Sequence, residues 1–269
     1  MKGERIPYRY DHYTWPEIKE VVRRQPVVIQ SIGSVEQHGP HLPLDVDNFL
    51  VWEVCEEAAR RAPDEILLLP HLPYGYESHH MDFPGTIDIL PQHLLDFVLD
   101  VTKSVAHHGF RRILLADGHG SNLPILDLVA RRTVLETPAL CACFIWTHLA
   151  LATTAELRES RFPGGIAHAC EQETSVYLYL NPAAVRMEKA EADLSFPATR
   201  FCWIDGQSAS PVSLVDYYSR CTRSGVVGEP QLATAEKGRA WFEAAVANLV
   251  EFVREFRTLP LRERVDHHR

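Results

Sequence analysis

The sequence predicts an α/β protein whose mostly parallel sheet is covered by helices on both faces. Short apolar runs alternate with helical patterns about four times along the 269-residue chain, an order typical of parallel strands joined by helical crossovers. No linker rich in proline and serine and no internal repeat divides the chain, so residues 1–269 are predicted to form a single domain. Polar clusters follow three of the predicted strands and indicate a site at one edge of the sheet.

Four apolar runs are the predicted strands of this sheet. The first, residues 26–30, contains Val27, Val28 and Ile29 in succession, as expected of a strand that is buried on both faces. The other three cover residues 65–70, 112–116 and 139–146.

Helical patterns separate these runs. In residues 14–24, Thr14 is a predicted N-cap, and Ile18, Val21 and Val22 recur on one face. Helices are likewise predicted over residues 48–61, 91–108, 123–133 and 234–256, with a short helix over 155–161 and a helical segment over 167–180. Residues 188–218 have no regular pattern.

The composition is that of an ordinary globular protein with an acidic balance. Charged residues make up 23% of the chain and hydrophobic residues 46%, and the formal net charge is −9. This balance argues against nucleic acid or an anionic membrane as a main partner. No apolar run approaches the roughly 20 residues that a membrane-spanning helix needs.

The six cysteines do not form a metal-binding or disulfide pattern. They occur without any Cys-x-x-Cys pair, and Cys141 and Cys143 alternate within the fourth predicted strand. The first ten residues lack the apolar core of a signal peptide. We therefore expect reduced thiols and a cytoplasmic location.

The most informative stretch follows the first predicted strand. Within twelve residues it contains Glu36, His38, His41, Asp45 and Asp47. Glycines and prolines in the same segment predict a loop. Dense carboxylates and imidazoles without thiolates favour a site for zinc, manganese or iron. Solvation of the same residues in an ordinary loop is the alternative interpretation.

Two further polar segments follow the next two strands, at residues 71–86 and 117–122. Ligand sites in open α/β sheets lie beyond the carboxyl ends of the strands, so the three segments are predicted to meet there. A two-metal hydrolase needs a bridging carboxylate and a water of lowered pKa. Asp47 is the candidate bridge, Glu36 and His38 are predicted to project to the same side, and His119 lies between two glycines that permit close backbone approach.

Glu171 and Glu173 compete for the place of the fifth ligand. His168 and Glu171 are three residues apart, so on a helix they share a face. We expect Glu171 to bind metal, and His168 or Glu173 to manage the proton on the leaving group as catalytic residues. A solvated helix carboxylate is the alternative for either glutamate.

The ordered set of motifs resembles the creatininase (creatinine amidohydrolase) family. The matching segments span roughly residues 27 to 240 and are Gly33-Ser-Val-Glu-Gln-His-Gly-Pro-His-Leu-Pro-Leu44 with Asp47, Ser78-His79, Phe83-Pro-Gly-Thr86, Asp117-Gly-His-Gly-Ser-Asn122, His168-Ala-Cys-Glu-Gln-Glu-Thr-Ser175, Gly225-Val-Val-Gly228 and Ala233-Thr-Ala-Glu-Lys-Gly238.

The resemblance implies a three-layer α/β/α sandwich and two divalent metal ions, zinc, manganese or iron. It implies that Glu36 and His119 hold the first ion, His38 the second, and Asp47 both. It also implies a homo-oligomer, often a hexamer. Creatinine amidohydrolases of the family have a metal-binding glutamate two residues after the turn histidine, where this chain has Ser121. The departure is typical of other family branches and directs the expected substrate away from creatinine.

The predicted function is hydrolysis of an amide or cyclic amide C–N bond of a small molecule by a metal-bridging hydroxide. Alternatives are hydrolysis of a C–C bond in a cyclic polyol ketone such as an oxidised inositol, a formamide deformylase, a maturation peptidase, or a metal-stabilised binding protein without turnover. Ser78, His79 and Trp146 are candidates for binding the substrate, although core packing is the alternative for Trp146.

Overall fold

The computed structural model describes residues 6–268 and contains a four-stranded parallel sheet with helices on both faces. The strands lie in the order β2-β1-β3-β4, with β1 at Val27–Ile32, β2 at Ile66–Leu68, β3 at Arg112–Asp117 and β4 at Leu140–Ile145. The predicted α/β class with a mostly parallel sheet is confirmed. A small antiparallel pair, β5 (Ile166–His168) and β6 (Val227–Gly228), lies outside this sheet.

The described residues form eight α-helices. Their bounds are α1 Trp15–Arg24, α2 Val46–Arg61, α3 Pro91–His107, α4 Leu123–Glu136, α5 Leu151–Leu157, α6 Glu171–Leu180, α7 Tyr218–Cys221 and α8 Ala235–Thr258. Short 3-10 turns occupy Tyr10–His12, Ser78–His80, Trp146–Ala150, Pro182–Ala184, Met187–Lys189 and Pro230–Leu232. None of the helices in residues 6–268 is long and apolar enough to cross a membrane.

The alternation of side chains along β1 builds the three layers. Val27 and Ile29 face a core that they share with α2, α6 and α8, whereas Val28 and Ile32 face a second core that they share with α1, α3 and α4. Every residue of β1 is buried, as its continuous apolar run predicts. All six cysteines are free thiols.

The strand order fixes where the functional site lies. In the order β2-β1-β3-β4 the chain turns to opposite sides of the sheet from β1 and β3, which makes the gap between their carboxyl ends the topological switch point. Ile32, the last residue of β1, pairs in register with Asp117, the last residue of β3. The loops that follow these two strands therefore begin side by side.

Helix boundaries differ from the predicted ones by up to four residues, as in α5, which was predicted over 155–161, and two of these differences matter for the site. Helix α2 begins at Val46, so Asp47 belongs to its first turn and not to the preceding loop. Helix α6 begins only at Glu171, because Ala169 has a left-handed φ of 50° that interrupts the predicted segment 167–180. His168 therefore lies in β5 and does not share a helix face with Glu171.

Candidate metal centre

Two elements that leave neighbouring strands bring the first predicted ligands together. Glu36 and His38 lie on the loop after β1, and Asp47 lies at the start of α2. All three are buried, with at most 3% of their surface exposed. The backbone N–H of Glu36 donates to the carbonyl of Leu44, and Asn48 Nδ2 donates to the carbonyl of Ser34. These bonds hold the loop against the helix that carries Asp47.

Asp47 presents its two carboxylate oxygens to two different histidines. Its Oδ1 atom lies 3.3 Å from His38 Nε2, and its Oδ2 atom lies 3.3 Å from His119 Nδ1. Ser34 Oγ donates to Oδ2 at 3.0 Å. Glu36 Oε1 is 3.1 Å from the same nitrogen of His119. A carboxylate with one oxygen toward each of two donor sets has the arrangement of a bridging ligand.

Gly118 allows the turn after β3 to approach α2. A Cβ atom at this position would lie 2.3 Å from the carbonyl oxygen of Asp47, closer than any side chain tolerates. The backbone N–H of His119 then donates to Asp117 Oδ1 at 3.1 Å, which orients the turn. Gly120, the second glycine beside His119, has open space around its Cα.

Within α6, Glu173 is the residue whose carboxylate lies close to His38. Its Oε2 atom accepts from the backbone N–H of Cys170 at 3.2 Å, in a capping box at the start of the helix. Its Oε1 atom lies 3.9 Å from His38 Nε2. We call Glu36, His38, Asp47, His119 and Glu173 the ligand cluster.

The structure does not bring Glu171 to the ligand cluster. Its buried carboxylate accepts from Lys237 Nζ at 2.6 Å and from the backbone N–H groups of Glu159 and Ser160 at 3.2 and 3.0 Å. These donors occupy the oxygens that a metal ion would need. Because α6 starts at Glu171, this side chain and that of Glu173 leave the helix in different directions.

Buried donor atoms that lack hydrogen bonds indicate that the ligand cluster can hold divalent metal ions. Both oxygens of Glu36 and the Nε2 atom of His38 are buried without an aligned hydrogen bond in the described part of the chain. Such atoms are costly unless a partner satisfies them. Donor atoms of Glu36, Asp47 and His119 lie within 4.8 Å of one another, as do those of His38, Asp47 and Glu173. The two groups share Asp47.

Burial and mutual charge shift the pKa values of these groups strongly. Burial and the adjacent Glu77 raise the pKa of Glu36 well above its usual range. Burial alone would lower the pKa of His119, but the carboxylates of Glu36 and Glu77 outweigh it and raise that pKa well above normal. Burial would raise the pKa of Asp47, but His38 and His119 outweigh it and lower that pKa. Such shifts are typical of functional sites.

His168 lies against the ligand cluster. Its Nε2 atom is 2.7 Å from the backbone carbonyl of Gln37, which only accepts, and 2.9 Å from the side-chain Nε2 of the same residue, which only donates, so Gln37 can pair with this nitrogen in either tautomer. The Nδ1 atom faces the cluster at 3.5 Å from Glu36 Oε1. Burial and the nearby His38 lower the pKa of His168 well below its usual range, which keeps the ring neutral.

Three residues at the site were not predicted from the sequence. Glu77 is fully buried 2.9 Å from His119 Nε2, and His80 Nε2 lies 3.8 Å from Glu36 Oε2. The ring of Tyr218 packs 4.0 Å from that of His80. Glu77 and His80 belong to the polar segment 71–86, whose composition could have indicated them as site residues. Tyr218 is the last of the irregular residues 188–218, where no sequence pattern indicated a role in the site.

Two acidic and imidazole residues of the first polar stretch lie outside the ligand cluster. His41 pairs with Thr174, and Asp45 pairs with Tyr177.

A cavity of about 550 Å³ opens from the ligand cluster. Asp47, His119, His168 and Glu173 lie at one end of it. Much of the remaining wall is apolar, formed by Pro91, Leu123, Pro124, Ile125, Ile145, Ile166, Ile204 and Val215. No lysine or arginine lines it among the described residues.

The three predicted substrate-binding residues have different positions. His79 lines the cavity, and its Nε2 atom lies 3.0 Å from Ser121 Oγ. Ser78 does not line it, because its hydroxyl donates to Asp88 Oδ2 at 2.7 Å. Trp146 is 1% exposed and packs in the core under α2 and α8, so the alternative interpretation of this residue agrees with its position.

The fold and the site together define a class of protein. A set of mostly buried carboxylate and imidazole donors at the switch point of a parallel sheet, next to a cavity, is the arrangement of a metal-dependent hydrolase.

Comparison with known proteins identifies the family. The sequence model described as creatinine amidohydrolase matches residues 11–253, and the chain belongs to the creatininase family. The mycofactocin precursor peptide peptidase of Mycobacterium tuberculosis is 31% identical over 87% of each chain. The 3-dehydro-scyllo-inosose hydrolase of Thermotoga maritima is 28% identical over 90% of this chain and 81% of that one. Family relatives are hydrolases, and this chain is a hydrolase of the same family.

Solved structures of creatininase have the same fold. A mutant creatininase of the Zn-Zn type superposes with a TM-score of 0.76 at 27% identity, covering 92% of this chain and 97% of that one. A creatininase with Mn superposes with a TM-score of 0.74 at 27% identity, covering 92% and 98%. The predicted membership of the creatininase family and the predicted three-layer fold are confirmed.

Proposed function

We propose that this protein is a dinuclear metal hydrolase that cleaves an amide or cyclic amide C–N bond of a small molecule. The observation that carries the proposal is Asp47, whose two oxygens face His38 and His119 separately. Glu36 and His119 would hold one ion, His38 and Glu173 the other, and Asp47 both. Glu173 takes the role expected of Glu171, whose oxygens are engaged by Lys237 and two backbone N–H groups.

The charge of the site supports two ions in preference to one. Glu36, Asp47, Glu77 and Glu173 are four carboxylates that lie in or against the ligand cluster. Buried charges of one sign are costly unless they are neutralised, and four negative charges match two divalent cations. Zinc, manganese and iron suit these oxygen and nitrogen donors.

Two divalent cations, when bound here, supply Lewis acidity and a water of lowered pKa. The residues of the chain do the remaining work. Asp47 lies against both His38 and His119, and the apolar part of the cavity wall shields the reacting carbonyl from bulk water. We assign the proton of neutral His168 to Nε2, 2.7 Å from the Gln37 carbonyl, and its Nδ1 atom is then available to take a proton and pass it to the leaving nitrogen.

The cavity supports a neutral substrate of moderate size. Its volume of about 550 Å³ lies in the range of sites for drug-sized ligands. Its apolar wall, without lysine or arginine among the described lining residues, favours an uncharged substituent over a phosphate or carboxylate. Ser121, at the position of the expected family glutamate, lines this cavity and supports a substrate other than creatinine.

The name of one relative supports a second candidate function. The Thermotoga maritima relative is a 3-dehydro-scyllo-inosose hydrolase, so C–C bond hydrolysis in a cyclic polyol ketone is the alternative reaction for the same site. The same cavity also has hydrogen-bonding side chains that a polyol could use, among them Thr147, His148 and Gln172, so the substrate panel has to include both kinds of substrate.

A substrate panel with metal removal tests this proposal. Lactams, formamides, short peptides and oxidised inositols would be assayed with zinc-loaded and manganese-loaded protein, and a neutral anilide would be compared with its carboxylate-bearing counterpart. We expect turnover of a neutral amide that disappears with chelation and returns with metal. Turnover that persists after complete metal removal would contradict the proposal, and turnover of the inosose alone would select the alternative.

A further inference from the structure

We propose that Glu77 is a positioning residue that fixes the orientation and tautomer of His119 and thereby strengthens metal binding. This inference rests on the proposed dinuclear site and adds to it a residue that touches none of the reacting atoms. In such an arrangement a carboxylate accepts the second ring N–H of a metal-binding histidine, and this makes the other nitrogen a better ligand.

The two nitrogens of His119 face two different sets of carboxylates. Nδ1 lies 3.1 Å from Glu36 Oε1 and 3.3 Å from Asp47 Oδ2, inside the ligand cluster. Nε2 lies 2.9 Å from Glu77 Oε2, on the opposite side of the ring. A neutral imidazole has one protonated nitrogen and one with a free lone pair, so a proton on Nε2 directs the lone pair of Nδ1 into the cluster.

His119 is the described ion-pair partner of Glu77. Glu77 is fully buried, and its 2.9 Å contact with His119 Nε2 is close but not aligned as a hydrogen bond; neither of its oxygens accepts an aligned one within residues 6–268. Burial would raise the pKa of Glu77, but His119 and a contact with the Glu36 carboxyl group lower it, while the charge of Asp47 opposes them. A carboxylate without a nearby donor would be costly in this position, so its contact with His119 accounts for its retention.

The backbone around Glu77 is fastened to the turn that carries His119. Asn122, three residues after His119, accepts from the backbone N–H of Tyr76 at 2.9 Å and donates to Asp117 Oδ1 at 3.2 Å. Asp88 accepts from the N–H of Glu77 at 2.7 Å. These bonds fix the distance between Glu77 and His119 independently of the ligand cluster, as a positioning role requires.

Substitution of Glu77 by glutamine tests the inference through metal affinity. Zinc affinity would be measured by competition with a chromophoric chelator in the wild type, in Glu77→Gln and in Glu171→Gln. The last variant is a matched control, since Glu171 is equally buried but lies outside the ligand cluster. We expect zinc binding to weaken about 10- to 100-fold in Glu77→Gln, and to change less than about twofold in the control.

The outcomes separate this inference from the proposed function. Wild-type affinity in Glu77→Gln would overturn the positioning role while leaving the dinuclear site intact. Failure of the wild type to bind zinc or manganese would overturn the proposed function and the positioning role with it.

A second measurement on the wild type needs no variant to fold. Nitrogen-15 NMR of the histidine side chains in the zinc-loaded protein reports which ring atom carries the proton. We expect His119 to carry its proton on Nε2 and the metal on Nδ1. Metal on Nε2 would contradict the inference and would assign Glu77 and His79 as ligands of that ion instead.

Discussion

Glu171 and Glu173 lie two residues apart at the start of α6, and their surroundings differ in kind. Lys237 and two backbone N–H groups saturate the carboxylate of Glu171. One oxygen of Glu173 accepts a hydrogen bond from the backbone N–H of Cys170 at the start of its own helix, and the other faces His38. Burial would raise both pKa values. The bonds of Glu171, Lys237 first among them, reverse that effect and lower its pKa, whereas the pKa of Glu173 remains raised.

The same contrast holds for two buried histidines. His71 lies 2.9 Å from Ser31 Oγ through Nδ1 and 2.8 Å from Asn48 Oδ1 through Nε2, so both of its nitrogens have partners. His38 leaves Nε2 without an aligned hydrogen bond between three carboxylates. Saturated polar groups stabilise the fold, and unsaturated ones that converge on one point form a ligand site.

The largest effect is expected from Glu173→Gln. The substitution removes a carboxylate that faces His38, so one of the two ions should be lost and turnover should fall by at least about 100-fold. Stability of the chelator-treated protein should remain the same or rise, because a charge is removed from among other carboxylates while the glutamine oxygen can still accept from the Cys170 N–H. Elemental analysis, steady-state kinetics and urea denaturation measure these three quantities. Unchanged metal content would break the contrast between the two glutamates.

Glu171→Gln is the converse experiment. The change weakens a buried ion pair, although Glu159 still contacts Lys237 Nζ at 2.8 Å. We expect the free energy of unfolding to fall by about 2 kcal/mol, with metal content unchanged. Urea denaturation and elemental analysis would be run beside Glu173→Gln. Loss of metal without loss of stability would restore Glu171 as the fifth ligand.

A smaller, pH-dependent effect is expected from His71. Burial lowers the pKa of His71 to about 4, so the unfolded chain takes up a proton near pH 6.5 while the folded protein does not. This contribution to stability is therefore complete above pH 6.5 and is lost as the pH falls toward 4. Partial solvent access reduces it to roughly 1 kcal/mol between pH 7 and pH 5.

Comparison of the wild type with His71→Gln isolates this contribution. Chemical denaturation at pH 7, 6 and 5 would give the difference in unfolding free energy between the two proteins. We expect the wild type to lose more stability than the variant as the pH falls. An equal loss in both proteins would mean that His71 does not titrate in this range.

The sequence predicted the parts of the site that depend on strand ends. Glu36, His38 and His119 follow continuous apolar strands, and β1 and β3 are neighbours, so their loops meet. Asp47 was predicted together with these residues because it follows the same strand closely in sequence, although it lies in the first turn of a helix and not in a loop. The predicted helices were found with boundary differences of a few residues, since capping and periodicity are local signals.

The remaining parts depend on packing that local patterns do not encode. The choice between Glu171 and Glu173 follows from the backbone of Ala169, which delays the start of α6. Trp146 packs into the core because of the path of α8, a long-range feature. Glu77 and Tyr218 reach the site through tertiary contacts of segments without periodicity.

Metal content of the wild type and of Asp47→Ala tests the central claim most directly. Elemental mass spectrometry of protein reconstituted with zinc or manganese should give close to two divalent ions per wild-type chain. In Asp47→Ala the value should fall sharply, because both donor groups contain this carboxylate. One ion or none in the wild type, with the same value in the variant, would contradict a bridging role for Asp47 and with it the dinuclear site.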